Sequence, residues 1–302
     1  TGQCTPFFGS NGEGAPEDPA DQRPDDAASA CFDGAVLEKP FTILGAPAVS
    51  LDVAADQENA FVCVRLNEVL PNGESLQVSY GVLNLTHRES HEFPEALEPG
   101  KRYTVEVQLD HIAHTFAPGS RIRIAVSTAF WPIVWPSPRP VTLSVFTGAS
   151  TLCLPAREPR ESDAEARPLP PPRHARAHPT SLLVDPEPGF IGFEVDRETG
   201  LQTFTFRADS GTRGYDRHGW KTSVSTDYRY HIHPDDPTSA CVDLSAVETY
   251  GREGQLDARI VAHQTMSCDT THFIIEASIE VFDGQEQVMA RQWNKRISRD
   301  GT

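Results

Sequence analysis

Large apolar residues in this chain recur at every second position in short runs, and no stretch repeats them at helical spacing. That regularity restricts the fold to sheets, because alternation places one face of an extended segment in a core and the other in water. Tyr103, Val105, Val107 and Leu109 alternate with polar residues, and Ile122, Ile124 and Val126 face away from Arg121, Arg123 and Ser127. Similar runs lie at residues 48–53, 60–69, 76–83, 111–116, 141–146 and 151–154, cut by turns at 71–74 and 117–120 that carry Pro and Gly. A chain of this kind is all-β, and this number of short strands is the content of a jelly-roll sandwich.

A second β-rich stretch follows a break. Residues 156–180 hold Pro168-Leu169-Pro170-Pro171-Pro172, which favours an extended spacer over a folded element. Beyond it, residues 190–195 and 201–207 flank a hairpin turn, and longer runs follow at 221–232, 241–249, 256–266, 272–281 and 287–297. Phe273, Ile275, Ala277, Ile279 and Val281 make one face of the run at 272–281, the pattern of a sheet buried on one side. Consecutive long strands suit antiparallel pairing in a barrel or second sandwich. The expected division is an irregular N-terminal segment at 1–26, a jelly roll at 27–155, a Pro-rich linker at 156–180 and a second β-domain at 181–302.

The chain's 302 residues fit two domains of ordinary size. Its net charge of -17 excludes a basic face able to neutralise phosphates, so nucleic acid is not an expected partner. No run reaches the length of a membrane span. The six cysteines, Cys4, Cys31, Cys63, Cys153, Cys241 and Cys268, form no C-x-x-C pair, and reduced, buried thiols are the expectation. With Thr1 first and no leader pattern, the chain reads as an excised piece whose compartment the sequence does not fix, a cytoplasmic one being the default.

The densest apolar cluster of the first domain is a corner, Phe130-Trp131-Pro132-Ile133-Val134-Trp135-Pro136. Two prolines bar it from a central strand, so it either plugs one end of a sandwich or is presented to another domain. Phe130, Trp131, Ile133 and Trp135 are therefore the candidate domain-docking residues.

An ordered set of motifs carries a family resemblance. Asp21-Gln22-Arg23-x-Asp25-Asp26-x-x-Ser29-x-Cys31-Phe32-Asp33 is followed by Val64-Arg65-Leu66-Asn67-Glu68-Val69-x-Pro71-x-Gly73. Gly81-x-Leu83-Asn84-Leu85-Thr86-His87-Arg88, Phe116-x-Pro118-Gly119-x-Arg121-Ile122-Arg123 and Trp131-Pro132-x-x-Trp135-Pro136-Ser137-Pro138 follow in turn. Together they resemble the C-terminal non-catalytic β-domain of the CocE/NonD hydrolases, shared with X-Pro dipeptidyl-peptidases. The terminal Trp293-x-x-x-Ile297-x-Arg299-Asp300 adds a weaker likeness. The resemblance implies a galactose-binding-like jelly roll that packs on an upstream α/β-hydrolase domain of the same polypeptide and helps wall its substrate cleft. The catalytic triad of such enzymes lies in that upstream domain.

The residues agree that this chain lacks the triad. No G-x-S-x-G stands between a strand and a helix, as a nucleophile elbow requires. No catalytic, cofactor-binding or metal-binding residue is assigned, and no cofactor. His231 and His233 at period two, with Asp227, Arg229, His263 and His272 nearby, resemble a cupin strand, but Pro234-Asp235-Asp236-Pro237 stands where a cupin needs its glutamate. The histidines of 87–92 read as an exposed charged loop, Asn84-Leu85-Thr86 as a chance sequon, and Arg121 and Arg123 as partners of acids across a sheet.

The expected function is thus the accessory portion of a serine hydrolase of the dipeptidyl-peptidase or acyl-esterase class, inactive alone. The rival is a freestanding carbohydrate- or ligand-binding module. A metal-dependent barrel, resting on the histidines, is a third. Self-association into a homo-oligomer is compatible with each.

Overall fold

The structure is a computed structural model that describes residues 2–4, 21–163, 165, 170–173 and 178–302. Residues 5–20 of the N-terminal segment and most of the Pro-rich run's flanks lie outside the described residues. The chain divides into two units, Thr1–Ala166 together with Asp300–Thr302, and Arg167–Arg299.

The first unit is a sandwich of two antiparallel sheets. One is built from β1 (Ala30–Asp33), β8 (Arg121–Ser127), β4 (Phe61–Val69) and β5 (Ser75–Asn84), in that spatial order. The other sets β3 (Ala48–Ala55) between β10 (Thr151–Cys153) and β6 (Arg102–Gln108), with β9 (Leu143–Val145) also on β3. β2 (Phe41–Gly45) and β7 (Ile112–Phe116) form a separate ribbon. A single helical turn, α1 (Arg23–Asp26), precedes them, with Pro24 in its first turn where the missing N–H costs nothing.

Alternation fills the space between the sheets. Val62, Val64 and Leu66 of β4 face Val49, Leu51 and Val53 of β3, with Val105, Val107, Ile124 and Val126 completing the core. Each such side chain contributes about 1.5–3 kcal/mol when fully buried. At residues 70–74 the expected hairpin closes through Leu70 N–H to Glu74 O and Gly73 N–H to Leu70 O. Gly81 is needed for packing: a Cβ there would sit 2.3 Å from the Gln108 carbonyl oxygen, so β5 lies against the end of β6 with no room for a side chain. The run expected at 141–146 shrinks to β9, because Phe146 leaves the ladder and starts a loop.

The second unit is one eight-stranded antiparallel sheet. β11 (Thr180–Val184) and β12 (Phe190–Val195) both pair with β13 (Gln202–Tyr215). A meander then runs through β14 (Trp220–His233), β15 (Asp236–Arg252), β16 (Leu256–Cys268), β17 (His272–Asp283) and β18 (Glu286–Ser298). Register sorts its faces: Phe204, Tyr230, Val242, Met266 and Ile275 form one cross-strand row, whereas the adjacent His231, Cys241 and Ser267 lie on the opposite face. β15 begins well before the expected 241. Pro237 sits near its start, where a missing donor is tolerated, and the β14–β15 hairpin closes at His233 and Asp236. Among the described residues no helix is long and apolar enough to cross a membrane.

Candidate docking corner and the buried cluster beneath it

Strand β4 is buried along almost its whole length on both faces. Its inner face meets the core. Its outer face carries Phe61, Cys63, Arg65 and Asn67, an alternation that in isolation resembles a mixed surface. Three pieces of chain cover it: residues 2–4, α1 with its flanks, and the corner that follows β8.

At the apolar end, Phe130 lies fully buried against Phe61 and Cys63, with Tyr80, Val82, Ile133 and Val134 packed around it. Its ring centroid is 5.2 Å from that of Tyr80. Burial pushes the Cys63 thiol up to about 12. Val134 N–H returns to Phe130 O, closing the corner as a turn, and the Trp131–Pro132 peptide is cis. Trp131 is 5% exposed and meets Trp135 edge to face at 5.2 Å, while Ile133 and Trp135 keep intermediate exposure. Phe130 is thus enclosed by side chains of this chain. Solvent-accessible area at the corner comes from Pro132, Ile133, Val134 and Trp135.

At the polar end, Arg65 is fully buried. Its Nη1 donates to Gln22 Oε1 at 2.7 Å and its Nη2 to Ser29 Oγ at 3.0 Å and Asp26 Oδ1 at 2.9 Å. Asp26 also accepts from Asn67 Nδ2, Ser75 Oγ and Arg123 Nη1. A buried carboxylate holding two guanidiniums and two neutral donors is well matched, which a charge removed from water requires. Arg123 extends the cluster with a two-nitrogen contact to Asp33, its partner in register across β1 and β8. That guanidinium holds the Asp33 carboxyl below the usual range, and Arg123 is raised in turn. Arg121 does not take an acid; it donates to the Gly34 carbonyl.

Asp25 performs a separate task. Its carboxylate accepts from the backbone N–H groups of Gly2, Gln3 and Cys4 at 2.9, 3.3 and 3.1 Å, and Gln22 Nε2 donates to Cys4 O. Gly2 adopts φ of 100°, and a Cβ there would stand 2.2 Å from the Trp131 carbonyl oxygen. Residues 2–4 are therefore pressed onto the backbone of the tryptophan corner. Burial and the Asp25 charge raise the Cys4 thiol to about 11.

The other residues singled out from sequence are dispersed. His231 bonds Thr203 Oγ1, and burial lowers its pKa. His233 Nδ1 accepts from Asp235 N–H, His263 meets Asp243, and His272 meets Thr271. Among the described residues no three His, Cys, Asp or Glu side chains gather as metal ligands. Asn84 of the sequon caps the turn at 85–87 through Thr86 N–H and donates to Gly301 O, so its amide is already in use. In the sequence Asp25, Asp26, Arg65 and Asn67 stand out only as letters of the ordered motifs. The available signal was charged and amide residues alternating with valine and leucine inside one strand.

Comparison with known proteins places the first unit in a family. The profile of the X-Pro dipeptidyl-peptidase C-terminal non-catalytic domain matches residues 6–170. Cocaine esterase of Rhodococcus sp. (strain MB1 Bresler) is 30% identical over 118 residues, covering 38% of this chain and 20% of the esterase. A solved α-amino acid ester hydrolase superposes with TM-score 0.44 at 26% identity, over 46% of this chain and 27% of that one. An aminopeptidase from a marine sediment Thaumarchaeota archaeon gives TM-score 0.40 at 22% identity, over 42% and 25%. The chain thus spans a fifth to about a quarter of the length of these relatives.

Proposed function

The chain belongs to the family of the X-Pro dipeptidyl-peptidase C-terminal non-catalytic domain, and from that premise we propose that it works as the C-terminal portion of a serine hydrolase acting on esters or peptides. In this reading the tryptophan corner rests on an upstream α/β-hydrolase domain of the same polypeptide, and the sandwich shapes one wall of its substrate cleft. The observation that supports it is the Asp25 clamp. Three backbone N–H groups bound to one buried carboxylate fix residues 2–4 against Phe130 and Trp131, which braces the corner from within this chain. A domain resting on the braced corner meets Ile133 and Trp135, which keep accessible surface there. Interface cores favour such aromatic and aliphatic groups, and the flanking prolines reduce the freedom lost on docking.

The test separates the two parts. The 302-residue chain alone should neither hydrolyse activated esters nor take up a fluorophosphonate probe. A separately expressed upstream domain should bind it, and Trp135→Ala should weaken that association while leaving its melting temperature in place. Stoichiometric labelling of a serine in this chain, or association indifferent to Trp135, refutes the reading.

A further inference from the structure

Close packing fails at one edge of the first unit's sandwich. β1 and β10 are the edge strands of the two sheets, and between them lies a cavity of about 400 Å³. Register shows how it arises. Phe32 of β1 pairs with Ile124 of β8 on one side, Leu152 of β10 with Val49 of β3 on the other. β3 carries two partners in succession: β9 on Val53–Ala55 and β10 on Ala48–Ser50, with Leu51 and Asp52 opposite neither. The chain between these partners swings out, leaving a notch over Leu51.

The notch is held open by hydrogen bonds. Ser150 Oγ accepts from Asp52 N–H at 3.1 Å and donates to Phe146 O at 3.0 Å, and Phe146 N–H returns to Asp52 O at 2.8 Å. The Arg102 guanidinium lies 4.1 Å over the Phe146 ring and its Nε binds Asp52 at 2.6 Å, pinning the loop from outside. The floor is Val49, Leu51 and Ile124, nearly closed to water, and the walls are Ile122, Val145 and Leu152. At the mouth stand Thr147 and Thr151, whose hydroxyls have no protein partner among the described residues, and Asp33, already satisfied by Arg123.

We infer that this edge cavity is a binding site for a small uncharged hydrophobic molecule, aromatic or branched aliphatic, that carries one polar acceptor group. The apolar floor and walls take the hydrocarbon body, whose transfer from water supplies the affinity. The threonine hydroxyls at the mouth are the donors for the acceptor. An ion is disfavoured, because among the described lining residues the one charge, Asp33, is held by Arg123, the neighbouring Arg121 is engaged with the Gly34 carbonyl, and the apolar floor gives a buried charge nothing to repay its desolvation. The site is independent of the docking corner, since it lies at the β1/β10 edge and uses none of the corner's residues.

Titration of the 302-residue chain with benzyl alcohol, followed by NMR shifts and by melting temperature, should give a saturable response. Benzoate and benzylammonium should bind weaker by about tenfold or more. Leu152→Phe should fill the space, raise the melting temperature and abolish the response; Val145→Phe serves the same purpose should Leu152→Phe fail to fold. Absence of saturation, an equal response in the filled variant, or equal binding of the charged analogues overturns the proposal.

Discussion

Asp26→Ala should be among the most destabilising single changes in the first unit. The carboxylate removed is buried and accepts from Arg65, Arg123, Asn67 and Ser75. Arg123 keeps its contact with Asp33. Arg65 keeps only the neutral Gln22 and Ser29 oxygens, so a guanidinium with no exposed surface loses its counter-charge. Breaking a buried pair in this way costs about 3–5 kcal/mol. For a unit of this size each kcal/mol lowers Tm by about 2–4 °C, which gives a fall of roughly 6–20 °C. Calorimetry of the full chain would measure it, following the transition of the first unit. Salt should change the difference little, since a pair out of solvent is weakly screened. The double variant Asp26→Leu, Arg65→Met removes both charges and should melt above Asp26→Ala. A loss below about 1 kcal/mol, the range of an exposed pair, or a double variant that melts lower still, would refute the account of the cluster.

Three further outcomes are expected. With a thiol reagent at pH 8, exposed Cys153 should react readily, while Cys4 and Cys63, buried and raised to about 11 and 12, should react only on unfolding. Gly81→Ala should destabilise the first unit more than an ordinary Gly→Ala change in a strand, because its methyl would overlap the Gln108 carbonyl oxygen; urea titration reads the difference, and a neutral effect would contradict the packing. The folded-state pKa of Asp33 lies below its unfolded value, so its contribution is present above about pH 4 and fades as pH falls through the folded value. Asp33→Asn should accordingly flatten stability against pH in the acid range, as followed by urea midpoints between pH 5 and 2.

The parts of this fold that could be read from sequence are those set by neighbours along the chain. The alternation in Tyr103 to Leu109 and the turn at 71–74 predict β6 and the β4–β5 hairpin, because side-chain period and turn chemistry are local. The outer face of β4 could not be read in the same way. Arg65 and Asn67 look like a solvated row, and their partners, Gln22, Asp26 and Ser29, arrive from about forty positions earlier. The corner was visible as apolar density, yet density does not say which ring points inward. That choice is made by Tyr80 and Cys63 on other strands, which claim Phe130 for the interior. His231 shows the converse case. Its period-two spacing resembles a cupin strand, a reading that Pro234-Asp235-Asp236-Pro237 already argues against, and only register tells that it lies beside Thr203, with His263 opposite Ser245 and Ser278.

The Asp25 clamp grips amide hydrogens, not side chains. Among homologues the residue at position 3 is therefore free to drift, since any non-proline residue presents the same N–H, whereas the buried side chain of Cys4 holds position 4 to a small apolar residue. Position 2 is held to glycine by the Trp131 carbonyl. Spacing is under a different constraint from identity: deleting one residue within 2–4 would pull the three donors out of step with the carboxylate, whereas a substitution at position 3 leaves its N–H in place. Alignments of this segment should show a fixed glycine, a variable letter after it and a small apolar residue at position 4.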